Sequence, residues 1–299
     1  IVYGCLPRVD REWFRRETPR VERFIPSRRP EQFADLVPEP AVPWEEMPPT
    51  TEFRRCDCLH YDPGKHYLLI QEGCSEGCLY CPHKLGIGRE RSRPPAAILA
   101  GLERALAAGA HTVVLEGNNG GSWGLDLDPP ATYPDLLAAV TDRAPDLAIH
   151  VGDFAPRWVR AYGGHLRHPA IRDLKIPIQS ASPRLLRRMG RDPYVRGMAP
   201  LLAELRDRAG GPRLRTEIIL GFPTSTEAEL LETLEFAAAH FHKVACFSFD
   251  FHPRTPLARL GIPRHPREVI AGRVELAMEF FARRPGVEAS FDDRGEVCA

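Results

Sequence analysis

The chain has 299 residues, with 40 basic and 40 acidic side chains; 43% of its residues are hydrophobic and 27% charged. That composition is too apolar for a disordered chain and too evenly charged to grip nucleic acid over its whole surface. No stretch approaches the roughly 20 apolar residues that cross a bilayer, and no export pattern opens the chain. The expectation is a cytoplasmic globular protein of one large or two small domains.

The chain opens on Ile1 rather than methionine, which reads as a processed or partial chain whose true start lies upstream. Ile1 to Pro7 reads as a short strand ending in a turn, and Asp10 to Thr18 as a polar, arginine-rich helix. Pro38, Pro40, Pro43, Pro48 and Pro49 follow at a density that sustains neither a helix nor a central strand, so this stretch reads as a linker. Residues 1–50 are therefore expected to be the tail of a small α/β domain with its linker, and residues 51–290 the main domain. From Tyr67 short apolar runs alternate with helical patterns. Strands are expected at Tyr67 to Gln71, Thr112 to Glu116, Ala148 to Gly152, Leu174 to Ile178, Arg215 to Leu220 and Ala245 to Phe251. The intervening helices are expected at Ala97 to Ala108, Pro134 to Arg143, Pro156 to Tyr162, Pro183 to Met189, Pro200 to Arg208, Thr226 to His240 and Arg267 to Arg284. Thr226 followed by Glu229 is a capping-box pattern. Six βα units predict an α/β fold, a partial barrel or a doubly wound sheet. Both place ligands at the C-terminal ends of the strands.

Eight cysteines could suggest four disulfides, but disulfide scaffolds are short, secreted and cysteine-dense. Metal binding in a reducing compartment fits this long chain better. Only Lys65, Lys84, Lys175 and Lys243 are lysines, against 36 arginines, an imbalance that reads as the imprint of a GC-rich genome. The sharpest feature follows the first main-domain strand: Cys74, Cys78 and Cys81 within eight residues, with Gly73 and Gly77 letting the backbone bend around them. An iron–sulfur cluster held by three thiolates keeps one iron open for a ligand. A closed zinc site needs four ligands, which Cys74, Cys78, Cys81 and His83 would supply. Inert core cysteines fit less well with the surrounding Gly, Ser and Glu.

The Cys74-x3-Cys78-x2-Cys81 spacing, with Tyr80 before the third cysteine, resembles the motif of the radical S-adenosylmethionine (SAM) superfamily. Further segments resemble its methylthiotransferase family: Gly88 to Pro94, Leu115 to Asp126, Pro177 to Ser182, Met189-Gly190-Arg191, Thr216 to Pro223 and Phe249 to Pro256. The likeness runs in order from Cys5 to about Arg284. It implies a partial (β/α)6 barrel with a [4Fe–4S] cluster on Cys74, Cys78 and Cys81, and SAM on the open iron. It further implies cleavage to a 5′-deoxyadenosyl radical and a reductant such as flavodoxin or ferredoxin. The reaction implied is insertion of a methylthio group at an unactivated C–H of a tRNA, a protein side chain or a small molecule. Tyr80 is implied near the adenine, Gly117 and Asn118 at the methionine end of SAM, Gln179 and Ser180 as polar SAM partners, and Arg191 on the SAM carboxylate. Tyr80 also reads as a core aromatic and Arg191 as one more surface arginine, while Glu217 reads equally as a buried acid near the ligand or a solvent-facing strand residue.

Cys5 resembles the third cysteine of the family's amino-terminal domain, where three hold a second [4Fe–4S] cluster. Its two companions would lie upstream of Ile1. Cys56 and Cys58 are a rival source of ligands, Cys246 reads as core, and Cys298 as part of a tail. The chain departs from the family pattern at Thr224-Ser225-Thr226, where Gly-Glu-Thr is usual, at Lys175, where histidine is common, at Ala181, where glycine is common, and at Asp192-Pro193. About 15 residues follow the last expected helix, so the family's carboxy-terminal RNA-binding barrel is expected to lie outside this chain. Two other readings stand beside this one: a radical SAM enzyme without sulfur insertion, and a zinc-binding module without catalysis.

Overall fold

The computed structural model describes residues 64–291 and two short strands nearer the start of the chain, β1 (Val2–Gly4) and β2 (Phe24–Pro26), which pair in parallel. The strand expected at the first residues is β1. The helix expected at 10–18, the proline-rich linker, the domain boundary near residue 50, and Cys5, Cys56, Cys58 and Cys298 lie outside the described residues.

Strand and helix then alternate: β3 (Lys65–Glu72), α1 (His83–Ile87), β4 (Arg91–Ser92), α2 (Pro95–Ala107), β5 (Thr112–Gly117), α3 (Tyr133–Arg143), β6 (Ala148–Asp153), α4 (Pro156–Tyr162) and β7 (Ile171–Lys175). After these come α5 (Pro183–Arg188), α6 (Ala199–Asp207), β8 (Arg213–Leu220), α7 (Glu227–His240), β9 (Lys243–Ser248), α8 (Arg267–Ala282) and β10 (Glu288–Phe291). All six expected strands form, as do all seven expected helices of the main domain, but the fourth strand is displaced by three residues: β7 runs Ile171–Lys175 where Leu174 to Ile178 was expected. Four elements have no counterpart among the expectations: β2, β4, which has only two residues, the five-residue α1, and β10, whose sequence Glu-Ala-Ser-Phe carries no continuous apolar run.

The eight strands lie in the order β10-β9-β8-β7-β6-β5-β3-β4. All neighbours are parallel except β3 and β4. From β3 through β5 to β10 each strand therefore sits beside its predecessor among the parallel strands. A doubly wound sheet would reverse direction at a switch point, so that alternative falls, and the sheet is a partial barrel.

One face of the sheet is apolar. Leu68, Ile70, Val113, Leu115, Ile149, Val151, Leu214, Ile218, Leu220, Val244 and Cys246 are buried in one cluster with Leu102 of α2, Leu136 and Val140 of α3, Leu202 and Leu205 of α6 and Leu234 of α7. Burying a large apolar side chain of this kind contributes about 1.5–3 kcal/mol. Cys246 is the core residue expected. The other face is polar. Along β8, Arg213, Arg215 and Glu217 alternate with buried Leu214, Thr216 and Ile218. Strands of a parallel sheet covered on both faces would be apolar throughout. The alternation shows that this inner face lines open space rather than a second core.

α7 begins as its sequence requires. The Thr226 hydroxyl accepts from the Glu229 N–H, and the Glu229 carboxylate accepts from the Thr226 N–H, closing the capping box. Glu229 also accepts from the Ser182 hydroxyl at 2.6 Å and pairs with Arg184 at 2.6 Å, which fastens the start of α5 to the start of α7.

Candidate functional site

The three thiols lie on the loop that leaves β3. Gly73 turns the chain there with φ +81°, and a Cβ at Gly73 would sit 2.0 Å from the Arg89 carbonyl oxygen. Only glycine fits that position. The Cys74 N–H then donates to the Gly88 carbonyl at 3.0 Å, so the segment after α1 doubles back over the loop. Between the second and third cysteines the Leu79 N–H donates to the Met189 carbonyl at 2.9 Å. Gly77 and Gly190 pack backbone to backbone: Gly190 has φ +71°, and a Cβ on it would lie 2.4 Å from the Gly77 oxygen. The Met189-Gly190-Arg191 segment after α5 thus clamps the thiol loop.

Arg191 completes the clamp. Its Nη1 donates to Cys78 Sγ at 3.3 Å and to the Tyr80 hydroxyl at 3.5 Å, and its Nη2 donates to the Pro177 carbonyl at 2.6 Å. Burial works against its charge, but its contacts with Tyr80 and Cys78 outweigh that and hold the guanidinium above its ordinary range. Tyr80 meets Phe222 edge to face at 6.1 Å, and Phe222 meets Phe249 at 5.4 Å, so an aromatic wall closes one side of the loop.

A web of polar side chains supports the other side. Asn118 Oδ1 accepts from the Gly73 N–H at 2.9 Å, and the Asn119 N–H donates to Gln71 Oε1 at 3.2 Å. Glu76 accepts from Asn119 Nδ2 at 2.8 Å and pairs with Arg157 of α4 at 2.7 Å. Glu90 accepts from the Ser122 hydroxyl at 2.7 Å and from the Ser75 N–H at 3.3 Å. None of Gln71, Glu76, Glu90, Asn119 and Arg157 stood out in the sequence. Glu76 lies between the first two cysteines and Glu90 after the third, but nothing in their spacing distinguishes a brace from a solvated charge.

Cys74 and Cys81 are half-buried and Cys78 is buried. Burial pushes the Cys74 thiol up to about 11, against partial relief from the Glu76 backbone N–H, and burial also raises Cys81. Metal binding displaces the proton from a ligating thiol, so loading of this site releases protons. Among the described residues no three His, Cys, Asp or Glu side chains close on the point a single ion would fill. The donor set fits an iron–sulfur cluster. Three thiols sit on one short loop, two glycines admit close backbone approach, and a cationic donor points at one sulfur.

Gln179 fits a further ligand. It follows β7, bridges to Ile218 of β8, and holds φ +65°, a conformation non-glycine side chains seldom adopt. Its Oε1 is buried without a hydrogen-bond partner. A strained residue with an orphaned acceptor at a strand end is what a bound donor would complete. Ser180, expected as a polar SAM partner, follows Gln179 and is buried. Its hydroxyl contacts Thr233 of α7 at 3.2 Å and accepts from the Ser182 N–H, both inside the protein. Arg191 likewise has its fork engaged by Cys78, Tyr80 and Pro177. Glu217, open between two readings in the sequence, lies on the inner face and pairs with Lys175 at 2.5 Å. Gly117 lies against Gln71, whose Oε1 would be 3.1 Å from an added Cβ. Thr224, which stands where the family usually has glycine, has φ +70°.

The model of the Radical SAM superfamily matches residues 68–237, more than half of the chain. A uS12 ribosomal-protein methylthiotransferase from Desulfosudis oleivorans is 30% identical over 316 residues, which cover 96% of this chain and 69% of that protein. A tRNA-2-methylthio-N(6)-dimethylallyladenosine synthase from Chloroflexus aurantiacus is 31% identical over 293 residues, 94% of this chain and 62% of that protein. The chain belongs to the methylthiotransferases of the radical SAM superfamily. Enzymes of this family use a [4Fe–4S] cluster and SAM, and methylthiotransferases carry a second cluster, so the reading as a zinc module without catalysis is overturned. The chain spans 69% and 62% of the length of these two relatives. Its fold is also that of coproporphyrinogen III oxidase from Escherichia coli, a radical SAM enzyme (TM-score 0.52, 15% identity, 74% of this chain and 52% of that one). No helix among the described residues is long and apolar enough to cross a membrane.

Proposed function

We propose that residues 64–291 form the radical-generating core of an enzyme that inserts a methylthio group at an unactivated C–H. Cys74, Cys78 and Cys81 are its cluster ligands. The observation that carries this reading is the clamped loop, which holds three thiols at the C-terminal end of the sheet with the Arg191 guanidinium on one of them. When bound, the cluster and SAM supply a 5′-deoxyadenosyl radical by reductive cleavage of the sulfonium.

The chain's own residues hold, orient and shield. Gly73 and the Gly77–Gly190 contact fix the loop's path, and Asn118 secures its first turn through the Gly73 N–H. Arg191 sets a charged donor against the Cys78 sulfur, which draws that side chain into one orientation. Tyr80, Phe222 and Phe249 close one side of the loop with aromatic surface and exclude water there. Gln179 offers its unpartnered acceptor to a donor on SAM, with Gly117 and Asn118 beside the same loop. Ser180 ties the strand end carrying Gln179 to α7. Cys5 is assigned to the second cluster on the strength of its family resemblance.

The relatives act on a tRNA adenosine and on ribosomal protein uS12, and these are the substrate classes to test. Anaerobically reconstituted, reduced protein should be incubated with SAM and either tRNA bearing N(6)-dimethylallyladenosine or uS12, followed by mass spectrometry of both. Methylthiolation of one of them is expected. Formation of 5′-deoxyadenosine with neither methylthiolated would favour the radical SAM reading without sulfur insertion.

A further inference from the structure

Reductive cleavage of a sulfonium consumes one electron that comes from outside the chain. Electron transfer slows steeply with distance, so a protein that delivers the electron has to meet this molecule close to the thiol loop. The loop reaches the surface between its first two cysteines, where Ser75 and Gly77 are exposed while Cys78 is buried. Apart from its chain neighbours, a Cβ added at Gly77 would meet only the Gly190 backbone within 4 Å. Gly190 has no side chain either. The cover over the loop is therefore thin here, backbone on backbone.

Arginines surround this thin place. The segment Pro183 to Met198, which runs through α5 and the Met189-Gly190-Arg191 clamp, holds five arginines and one acid in a chain whose charges balance overall. Arg187 and Arg188 are exposed in the last turn of α5, and the Gly190 N–H donates to the Arg187 carbonyl at 3.1 Å. Arg184 and Arg196 of the same segment pair with Glu229 and Glu232. Among the described residues neither Arg187 nor Arg188 pairs with a carboxylate, and neither guanidinium donates to a carbonyl at the end of its helix. From α4, Arg157 pairs with Glu76 of the thiol loop at 2.7 Å, and Arg160 pairs with Asp192 beside the clamp at 2.9 Å. These two keep 39% and 57% of their side chains exposed. Glu90 lies on the other flank, held by the Ser122 hydroxyl. Four arginines thus stand around the Gly77–Gly190 contact with two carboxylates among them, and Arg187 and Arg188 are left with none.

We propose that the Gly77–Gly190 contact and the arginines around it, Arg157, Arg160, Arg187 and Arg188, form the docking surface for a small acidic one-electron carrier protein of the flavodoxin or ferredoxin class. The proposal rests on the radical reading given above and names the partner that reading requires. One electron leaves the carrier, which is oxidised by one equivalent, and reduces the centre on the thiols by one; no atom or proton crosses the contact. Redox encounters of this kind are small and weak, and opposite charge steers them. An RNA would meet the same charges, but α4 and α5 belong to the helix layer outside the sheet, where Val159, Leu185 and Leu186 join the core. A substrate has to enter on the inner face, whereas a carrier needs only to approach the loop from outside.

The test uses the full chain, reconstituted anaerobically, with reduced flavodoxin and a reduced ferredoxin as probes. Carrier binding is read by surface plasmon resonance, and cluster reduction by stopped-flow absorbance. Arg187→Glu/Arg188→Glu is expected to weaken binding of at least one carrier and to slow its reduction of the protein about tenfold or more at about 0.01 M salt, a gap that closes toward about 1 M salt. Reduction by dithionite, which is small and needs no docking, should be nearly unchanged. Arg143→Glu/Arg283→Glu shifts the net charge by the same amount on α3 and just after α8 and should leave both readouts near wild type. Arg187→Glu and Arg188→Glu are also made singly, so a folding defect in the pair does not remove the test. No carrier binding to wild type, unaltered reduction in the Arg187 and Arg188 variants, or equal slowing by Arg143→Glu/Arg283→Glu would each overturn the proposal. Loss of tRNA binding in those variants with carrier-driven reduction intact would assign the arginines to RNA and overturn it too. If dithionite supports SAM cleavage while the carriers ignore the arginines, only the docking surface falls; if dithionite supports none, the radical reading falls and the docking surface with it.

Discussion

At the residue scale, Arg191 shows how context redirects a side chain. Among 36 arginines it carries no signal of its own, and by family resemblance it would face a SAM carboxylate. The fold engages both its terminal nitrogens with Cys78, Tyr80 and Pro177. A single ammonium lacks the reach and the fork to make all three contacts. Arg191→Lys is therefore expected to slow 5′-deoxyadenosine formation at least tenfold and to change the electron paramagnetic resonance spectrum of the reduced protein. A wild-type rate with a wild-type spectrum would show that the contact to Cys78 is incidental. Thr224 is the complementary case. In the sequence it is a departure from the family pattern that bears on substrate. In the fold it is a β-branched residue at φ +70°, where glycine would be unstrained, and its carbonyl accepts from Arg184 at 2.7 Å.

At the element scale, α5 and α7 are joined at their starts by one carboxylate. Burial would raise Glu229, but the Arg184 guanidinium, the Ser182 hydroxyl and the Thr226 N–H outweigh it and hold its carboxyl at about 2. A carboxyl held below its ordinary range stabilises the fold above its unfolded pKa, and that contribution is lost as pH falls through the folded value. Glu229→Gln is thus expected to cost about 2 kcal/mol near neutrality, measured by thermal or denaturant unfolding. The gap between variant and wild type should narrow as pH is lowered from about 4.5 toward 2. A gap that stays constant across that interval would mean that packing, not the charge, supplies the effect. α5 matters to the site because the Met189-Gly190-Arg191 clamp leaves its C-terminus, so weakening its anchor should also loosen the thiol loop.

At the scale of the whole molecule, the order of strands and helices was legible because each buries a contiguous apolar run on one face. Hence all six barrel strands fell near their expected places, and the capping box marked the start of α7. Three things were not legible. β4 and β10 are held by pairing with neighbours rather than by their own pattern. The braces Gln71, Glu76, Glu90, Asn119 and Arg157 come together from segments up to 81 residues apart, counted from Glu76 to Arg157, and no local spacing foretells them. The choice between barrel and doubly wound sheet depends on strand order, which periodicity does not encode. The cysteines were legible because three ligands of one centre lie on one short loop. The clamp that makes that loop a site comes from the far end of α5, and only the fold brings it there.

That the thiol loop carries a radical-generating cluster is the central claim, and one paired measurement addresses it most directly. Iron, sulfide and 5′-deoxyadenosine should be quantified for anaerobically reconstituted wild type and for the Cys74→Ala, Cys78→Ala and Cys81→Ala variants. Each substitution is expected to remove about four irons and four sulfides and to abolish 5′-deoxyadenosine, whether or not a second cluster remains. Undiminished SAM cleavage in any of the three variants would contradict the claim.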